Sequence, residues 1–442
     1  MWPSYRNLIA LGLLLIVGAL GFYFCARENG RSVNRDVSST DQGAYIKYGM
    51  EMRKSDFAFV GGRNRMPLYP ALLASFMDRE TTKSGFFETG KLINIWLSLV
   101  GLAFVGLVFF GTFSRHHALN ALGLTAFGVF VFKAAYVQSE ILYYLLTFAV
   151  FLLGWQLFRW PRWGLALVAG GLVGLTHLTK ASILPGLVVF LVFYPGDALW
   201  QKWRNGARGF SRRLMITALV TVAFLAAVLP YISKSKEVYG QYFYNVNSTF
   251  YIWCESWKDV ERTVKAAGDR EGWPDLPPEE IPSFKNYLRD HSAAEIGGRV
   301  ATGISRVFNT MARGPGFLWF GLAYVGFAAG LAFWKRRVLL RVFLKRPLPT
   351  LALLAYFLGY GLLMAWYSQI IQGNRFVLAL FLPFLFTLSV FLVRFSRRVV
   401  VPCGGFGEVP ILTIFNTVIS IWLLVDILIT CLFRISSFYG GS

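Results

Sequence analysis

Apolar runs of about 20 residues, the length that crosses a bilayer core of roughly 30 Å as a helix, recur along the whole chain. We read about eleven spans, with ten to twelve tolerable, near 8–24, 91–113, 118–136, 139–158, 162–179, 181–195, 213–232, 316–334, 349–368, 374–393 and 411–433. With 55% hydrophobic and only 15% charged residues, a soluble multidomain chain is excluded. A β-barrel would show short alternating strands instead. The expected fold is an all-α polytopic membrane protein, a single transmembrane domain over 1–442 with no separate soluble domain.

The formal net charge is +21. In a soluble protein that would suggest nucleic acid. Here much of it sits in short loops, and no stacking module or basic helix array accompanies it, so we expect membrane lipids and no nucleic acid as partners. With the N-terminus in the cytoplasm, the loops 114–117, 159–162, 196–213, 335–346 and 394–410 fall inside; they hold 1, 2, 5, 6 and 3 Lys/Arg. The loops 25–90 and 233–315 fall outside, and both are long and mixed in sign. The first run, 8–24, follows Arg6 as in a signal peptide. No small-x-small cleavage site follows it, and it is read as a retained anchor. The expected location is an integral multi-pass membrane protein, of the bacterial inner or plasma membrane type.

Cys25, Cys254, Cys403 and Cys431 form no CxxC pair, and Cys403 and Cys431 are expected on different sides of the membrane. The four histidines, His116, His117, His177 and His291, are equally scattered. Neither a disulfide framework nor a zinc site is suggested.

The second outer loop, 233–315, begins with an aromatic segment (YGQYFYNVNSTFYIWCESW) suited to the interface and continues through a Pro-rich stretch (WPDLPPEEIP). Residues 283–312 then read as one amphipathic helix, with Phe284, Tyr287, Leu288, Ile296, Val300, Ile304, Val307 and Met311 mostly three or four apart. A lid-supporting role without chemistry suits it.

The polar island of the chain is 35–79 in the first outer loop. Ser39-Thr40-Asp41-Gln42 fits a capping box opening a helix that runs to about Lys54. Asp41, Tyr45, Tyr48 and Met52 share one face of it. In the first turn the helix dipole favours an ionised Asp41, able to accept a proton from a hydroxyl; a purely stabilising helix-end acid accounts for it as well. Gly61 to Arg65 is a flexible basic turn. Pro67 suits the start of a short interfacial helix carrying Leu68, Leu72, Leu73 and Phe76. Arg63 and Arg65 match phosphate oxygens; headgroup contact or pairing with Asp56 competes with that role.

Three further polar groups stand at outer span ends, where burial in lipid would be costly: Gln138-Ser139-Glu140, Thr176-His177-Leu178-Thr179-Lys180, and QIIQGNR ending at Arg375. Taken singly, snorkelling or helix capping explains each. Together with the Asp41 loop they gather acids and bases on one side of the membrane.

"DQGAYIKYG" followed by "RNRMPLYPALLAS" resembles the first external loop of GT-C membrane glycosyltransferases of the protein O-mannosyltransferase and aminoarabinose-transferase type. "QSE" opening a span, "GLVGLTHLTKAS" and "GNRFVLALFLP" follow in the family's order. The resemblance is loose over the whole chain and specific only in combination. It implies transfer of a sugar from a polyprenyl-phosphate donor to an acceptor hydroxyl of a protein, lipid or glycan on the extracytoplasmic face, with inversion. It implies Asp41 as general base, with Asp36 as rival. Lys180 and Arg375, with Arg65, Arg63 and His177, would hold the carrier phosphate. Glu140, with Tyr45, Gln138 and Tyr69, would contact sugar or acceptor. Asp36 and Asp41 are too far apart for a DxD metal motif, so no metal and no cofactor are expected. Phe376 stands where the family often has Tyr. Without the soluble C-terminal domain of many relatives, acceptor choice would rest on the loops or a partner membrane protein. The competing readings are a non-catalytic subunit of a larger complex, and a lipid-linked glycan polymerase or transporter, which would need charged groups near mid-membrane.

Overall fold

The computed structural model describes residues 5–59, 64–206, 209–267, 276–314, 316–371, 373–397, 399–402 and 407–436. Its helices, in chain order, are α1 (Tyr5–Ser32), α2 (Gln42–Lys54), α3 (Leu68–Ser75), α4 (Lys83–Thr112), α5 (Arg115–Gly128), α6 (Glu140–Arg159), α7 (Trp163–Thr179), α8 (Leu184–Asn205), α9 (Phe210–Tyr239) and α10 (Val246–Thr249). They continue with α11 (Trp257–Ala267), α12 (Phe284–Asp290), α13 (Ala293–Ala312), α14 (Phe317–Trp334), α15 (Arg336–Lys345), α16 (Pro347–Tyr367), α17 (Arg375–Leu378), α18 (Phe381–Phe395) and α19 (Ile411–Ile429). Two three-residue strands, β1 (Val400–Pro402) and β2 (Glu408–Pro410), pair antiparallel ahead of α19.

Among the described residues, eight helices are long and apolar enough to cross a membrane, and two shorter apolar ones, Trp163–Thr179 and Phe381–Phe395, accompany them. The chain is an all-α, multi-pass integral membrane protein. The long loops lie at one end of the bundle, here the loop end; the short cationic loops lie at the other, the basic end.

The bundle closes where side chains are small or flat. Gly170 and Gly174 of α7 face α9 so tightly that a Cβ at Gly170 would sit 2.3 Å from the Val220 carbonyl oxygen, and one at Gly174 would sit 2.5 Å from the Ala227 methyl. This is the small-residue contact by which membrane helices gain packing without a hydrophobic drive. Deeper in, Phe109, Phe113 and Phe148 all meet Phe386, with ring centroids 5.6–5.9 Å apart.

Four elements depart from the sequence reading. The expected 118–136 span is helical only to Gly128; a 3-10 turn (Phe130–Phe132) and irregular backbone follow, all buried. Such backbone is tolerated at depth only when its polar groups find partners within the protein. Here Asn94 Nδ2 donates to the carbonyls of Tyr136 and Gln138, Asn34 Nδ2 donates to Ala135 O at 2.8 Å, and the Val137 N–H donates to Gln42 Oε1 at 2.8 Å. The expected 374–393 span is likewise broken, into α17 and α18. The single helix expected over 283–312 divides at His291–Ser292, because Ser292 and Glu295 form a capping box that starts α13 afresh. The capping box expected at Ser39 does not form. Gln42 turns back instead, exchanging amide hydrogen bonds of 2.8 Å with Asn34 and donating to Ser39 O at 3.0 Å.

The scattered cysteines are also not all apart. Cys25 on α1 and Cys431, just past α19, bring their sulfurs to 3.2 Å, beside a 3.0 Å bond from Asn29 Nδ2 to Ile435 O. Cys403 lies outside the described residues.

Candidate functional site

α2 begins one residue after Asp41, whose side chain makes no helix-cap bond. The residue before it, Thr40, sits at φ 60°. A β-branched side chain at positive φ is a backbone outlier of the kind that persists only where surroundings impose it. Gln138 supplies one restraint, donating to Thr40 Oγ1 at 2.6 Å. The chain thus kinks at Thr40 and points Asp41 away from its own helix.

Asp41 meets two guanidinium groups. Its Oδ1 lies 2.6 Å from Arg65 Nη2 and its Oδ2 lies 2.6 Å from Arg375 Nη1. Behind them stands Glu140, whose Oε1 is 3.1 Å from Lys180 Nζ and 4.0 Å from Arg375 Nη1. The order Arg65–Asp41–Arg375–Glu140–Lys180 alternates in sign. Three cations face two carboxylates, so positive charge is left over for an anion. Burial pushes the Asp41 carboxyl up, but Arg65, Arg375 and Lys180 together outweigh it and hold the group below the usual carboxylate range. Asp41 is therefore ionised at neutral pH, and weakly basic while both arginines stay on it.

All of these groups but Glu140 border a cavity of about 710 Å³ at the loop end. Asp41, Tyr45, Arg65, His177, Lys180 and Arg375 all line it. Leu184, Pro185, Leu363, Met364 and Val377 give it an apolar wall, contributed by α8, α16 and α17. Several polar atoms at the site are buried and unpaired within the described residues: Arg65 Nε, Glu140 Oε2 and both ring nitrogens of His177. The His177 ring is fixed between Phe224 and Phe243, at 5.9 and 5.5 Å. Lys180 lies over the rings of Tyr143 and Phe376, at 5.7 and 5.1 Å, so Phe376 acts as an aromatic shelf for the cation.

Glu140, Gln138 and Tyr69 do not line the cavity; each lies a layer behind it. Glu140 holds Lys180 and Arg375, and Gln138 holds Thr40. Tyr69 is fully buried, edge-on to Tyr45 at 5.2 Å. Tyr45 bonds Ser139 Oγ at 2.8 Å and carries Arg65 above its ring at 5.5 Å. Burial, with Glu140 adding to it, pushes the Tyr45 phenol up to about 12, so it stays protonated. Asp36 is outside the cavity; Ser38 donates from its hydroxyl and its N–H at 2.5 and 2.8 Å and draws its carboxyl down. Asp56 pairs with Arg79 rather than with the basic turn. Arg63 lies outside the described residues.

Sequence reasoning passed over the opposite wall. Asn64, Asn245, Asn247, Tyr251 and Arg306 also line the cavity. Met66 links the first loop to the second and to α9: Asn245 Nδ2 and the Tyr231 hydroxyl of α9 approach its sulfur at 3.7 and 3.6 Å. The signal available was the run YNVNST inside the aromatic segment, where Asn245 caps α10 through the Asn247 N–H. The second loop is tied down by Arg299, which is buried and reaches Glu255 at 2.9 Å and the Cys254 carbonyl at 2.9 Å. Gly303 of α13 allows this: a Cβ there would fall 1.9 Å from the Ala365 carbonyl oxygen of α16. Among the described residues, no group of three His, Cys, Asp or Glu gathers as a metal would need.

No protein-family profile matches the sequence, and no curated protein matches it. Among solved structures, the chain is similar to an oligosaccharyltransferase from Archaeoglobus fulgidus, whose crystal structure is described as a complex with Zn and sulfate. The identity is 16% and the TM-score 0.47, over 97% of this chain and 53% of that one. The chain thus spans about half the length of that protein.

Proposed function

We propose that this protein is a glycosyltransferase that moves a sugar from a polyprenyl-phosphate donor to an acceptor hydroxyl at the extracytoplasmic side of the membrane, with inversion. The observation that carries the reading is the Asp41 carboxylate, paired with both Arg65 and Arg375 on the wall of a cavity that is also apolar; Glu261, the other carboxylate lining that cavity, makes no ion pair among the described residues. A lipid-linked sugar phosphate needs that combination of cationic pocket, adjoining lipophilic wall and nearby acceptor of a proton.

In the resting site the arginines are committed to Asp41. A phosphate entering the cavity competes for them, because guanidinium pairs with phosphate as well as with carboxylate. Each bond that moves from Asp41 to the phosphate raises the basicity of Asp41. The base is thereby switched on by the donor it serves. The acceptor hydroxyl loses its proton to Asp41 as its oxygen attacks the anomeric carbon from the face opposite the phosphate. The bond from that carbon to the phosphate oxygen breaks, and the phosphate leaves with the electron pair. Lys180, Arg375 and Arg65 stabilise the charge developing there. Glu140 keeps Lys180 and Arg375 in place, and Tyr45 and His177 border the space left for sugar or acceptor. Residue chemistry alone accounts for each step, so the proposed reaction is metal-independent.

The test is transfer of radiolabelled sugar from a panel of polyprenyl-phosphate sugars in membranes containing the wild-type chain or Asp41→Asn. Transfer by the wild type and its loss in the variant support the reading. Undiminished transfer by Asp41→Asn removes Asp41 as base.

A further inference from the structure

A second cavity, of about 620 Å³, opens toward the basic end between α6, α8 and α16. Its depth is apolar, with Phe151, Trp155, Phe158, Leu187 and Phe190 on its walls. Its mouth is cationic: Arg159, Lys345, Arg346 and Arg394 all border it. Of these, only Arg346 has a carboxylate partner among the described residues: Asp197, 2.6 Å away and itself shared with Arg213. Arg159, Lys345 and Arg394 make no ion pair among the described residues. The Arg346 Nε is buried and without a partner there.

Positive loop charge alone orients a membrane protein and needs no cavity. Here the cations converge on one. Lys345 ends α15, whose residues are all at least partly exposed and whose sequence RRVLLRVFLK is cationic on one side and apolar on the other. Such a helix lies in the headgroup plane. It therefore places Lys345 at the level where the phosphates of that leaflet sit, while the groove behind it runs into the hydrocarbon.

We propose that this cavity is a binding site for one anionic phospholipid of the basic-end leaflet. Its phosphate sits among Arg159, Lys345, Arg394 and the free Nε of Arg346, and an acyl chain fills the groove between Phe151, Trp155 and Phe190. The site is separate from the sugar-transfer site and does not depend on that reading: the two cavities share no lining residue.

The delipidated protein is offered equal amounts of dioleoyl phosphatidylglycerol and dioleoyl phosphatidylcholine, and bound lipid is counted by native mass spectrometry. The wild type is expected to retain phosphatidylglycerol by about tenfold over phosphatidylcholine, the scale expected when clustered Lys and Arg meet an anionic lipid. The variant Lys345→Gln/Arg394→Gln, altered at exposed positions outside the sugar-transfer cavity, is expected to bind the two lipids about equally. Equal binding by the wild type, or an unchanged preference in the variant, overturns the proposal. A third arm offers glycerol 3-phosphate, which has the charge without the chains: displacement of phosphatidylglycerol at equal concentration would show a free-phosphate site instead. A fourth offers polyprenyl phosphate, and displacement there would assign the groove to the carrier's tail.

Discussion

Two aspartates in this protein are each held by two arginines, and they do different things. Asp41 at the loop end lies 2.6 Å from Arg65 and 2.6 Å from Arg375; Asp197 at the basic end lies 2.6 Å from Arg213 and 2.6 Å from Arg346. The difference is access. The Asp41 side chain is 31% exposed, on a cavity wall, with Lys180 within its field. The Asp197 side chain is 0% exposed, and Gln201 donates to its Oδ2 at 2.9 Å. An ion triad open to a cavity can exchange partners with a substrate. A carboxylate with no exposed surface cannot meet a substrate itself; Asp197 fastens α8 to the start of α9 and to Arg346, the residue that precedes α16 and that borders the second cavity. Geometry of the pair alone does not separate site from staple.

That contrast can be broken most sharply by removing one carboxylate at a time. Asp41→Asn is expected to lower sugar transfer by about 10²–10⁴-fold, the usual contribution of a positioned proton acceptor, with little change in melting temperature. Asp197→Asn is expected to do the reverse. It strips a sealed carboxylate from two arginines, a loss of about 3–5 kcal/mol of stability. The melting midpoint should fall steeply while kcat/KM of the folded fraction is unchanged. A collapse in transfer with normal stability in Asp197→Asn would erase the distinction. Lys180→Met, which leaves Asp41 and its arginines in place, should weaken donor binding by about tenfold or more, as the loss of one charge-assisted bond to phosphate does. Because Lys180 is proposed both to hold the phosphate and to stabilise the charge it gains on leaving, KM should rise and kcat should fall, and unchanged values of both would show the phosphate lies elsewhere.

The pH dependence gives a finer cut. Asp41 is depressed in the resting protein, so its ion pairs are fully present above the unfolded value of about 3.9 and are lost as pH falls through the lower folded value. In kcat/KM, which reports the free enzyme, the acid limb from Asp41 should therefore lie below about 3.9. In kcat, which reports the complex, the limb should lie higher, because the phosphate has drawn the arginines away. Coincident limbs would show that Asp41 keeps both partners throughout. The smallest expected effect is Thr40→Gly. It relieves the positive φ but removes the hydroxyl that accepts from Gln138, so the two effects on stability, each of about 1 kcal/mol, should largely offset, while the loosened Asp41 lowers transfer severalfold.

Hydropathy located the membrane spans because apolar length is a nearly sufficient statement about a helix in lipid. It failed at 118–136, since apolar residues report burial and not backbone shape. Inside a protein, irregular backbone survives if side-chain amides satisfy it, and Asn34, Gln42 and Asn94 do so from three distant stretches. The residues brought to the loop-end cavity (Asp41, Tyr45, Arg65, His177, Lys180 and Arg375) could each be picked out as polar groups at span ends or in the first loop. Their order of contact could not, because Glu140, Arg375 and Asp41 are joined only through folding. Nor could the Asp197 staple be seen: one acid among five basic residues in the 196–213 loop reads as a topology signal.

The seam between α7 and α9 bears on the two cations that face Glu140. Lys180 follows directly on α7, which Gly170 and Gly174 set close against α9. Arg375 heads a four-residue helix between an irregular turn and a further break, and its guanidinium is placed by Asp41 and Glu140 rather than by its own backbone. The site is thus a vice with one fixed jaw and one adjustable jaw. If the site holds a donor phosphate as proposed, the fixed jaw would set where it stops and the adjustable one how firmly it is gripped. Donors that differ in the bulk of the group beyond the phosphate would be sorted by the travel of Arg375, while the position of Lys180 stays the same for all of them.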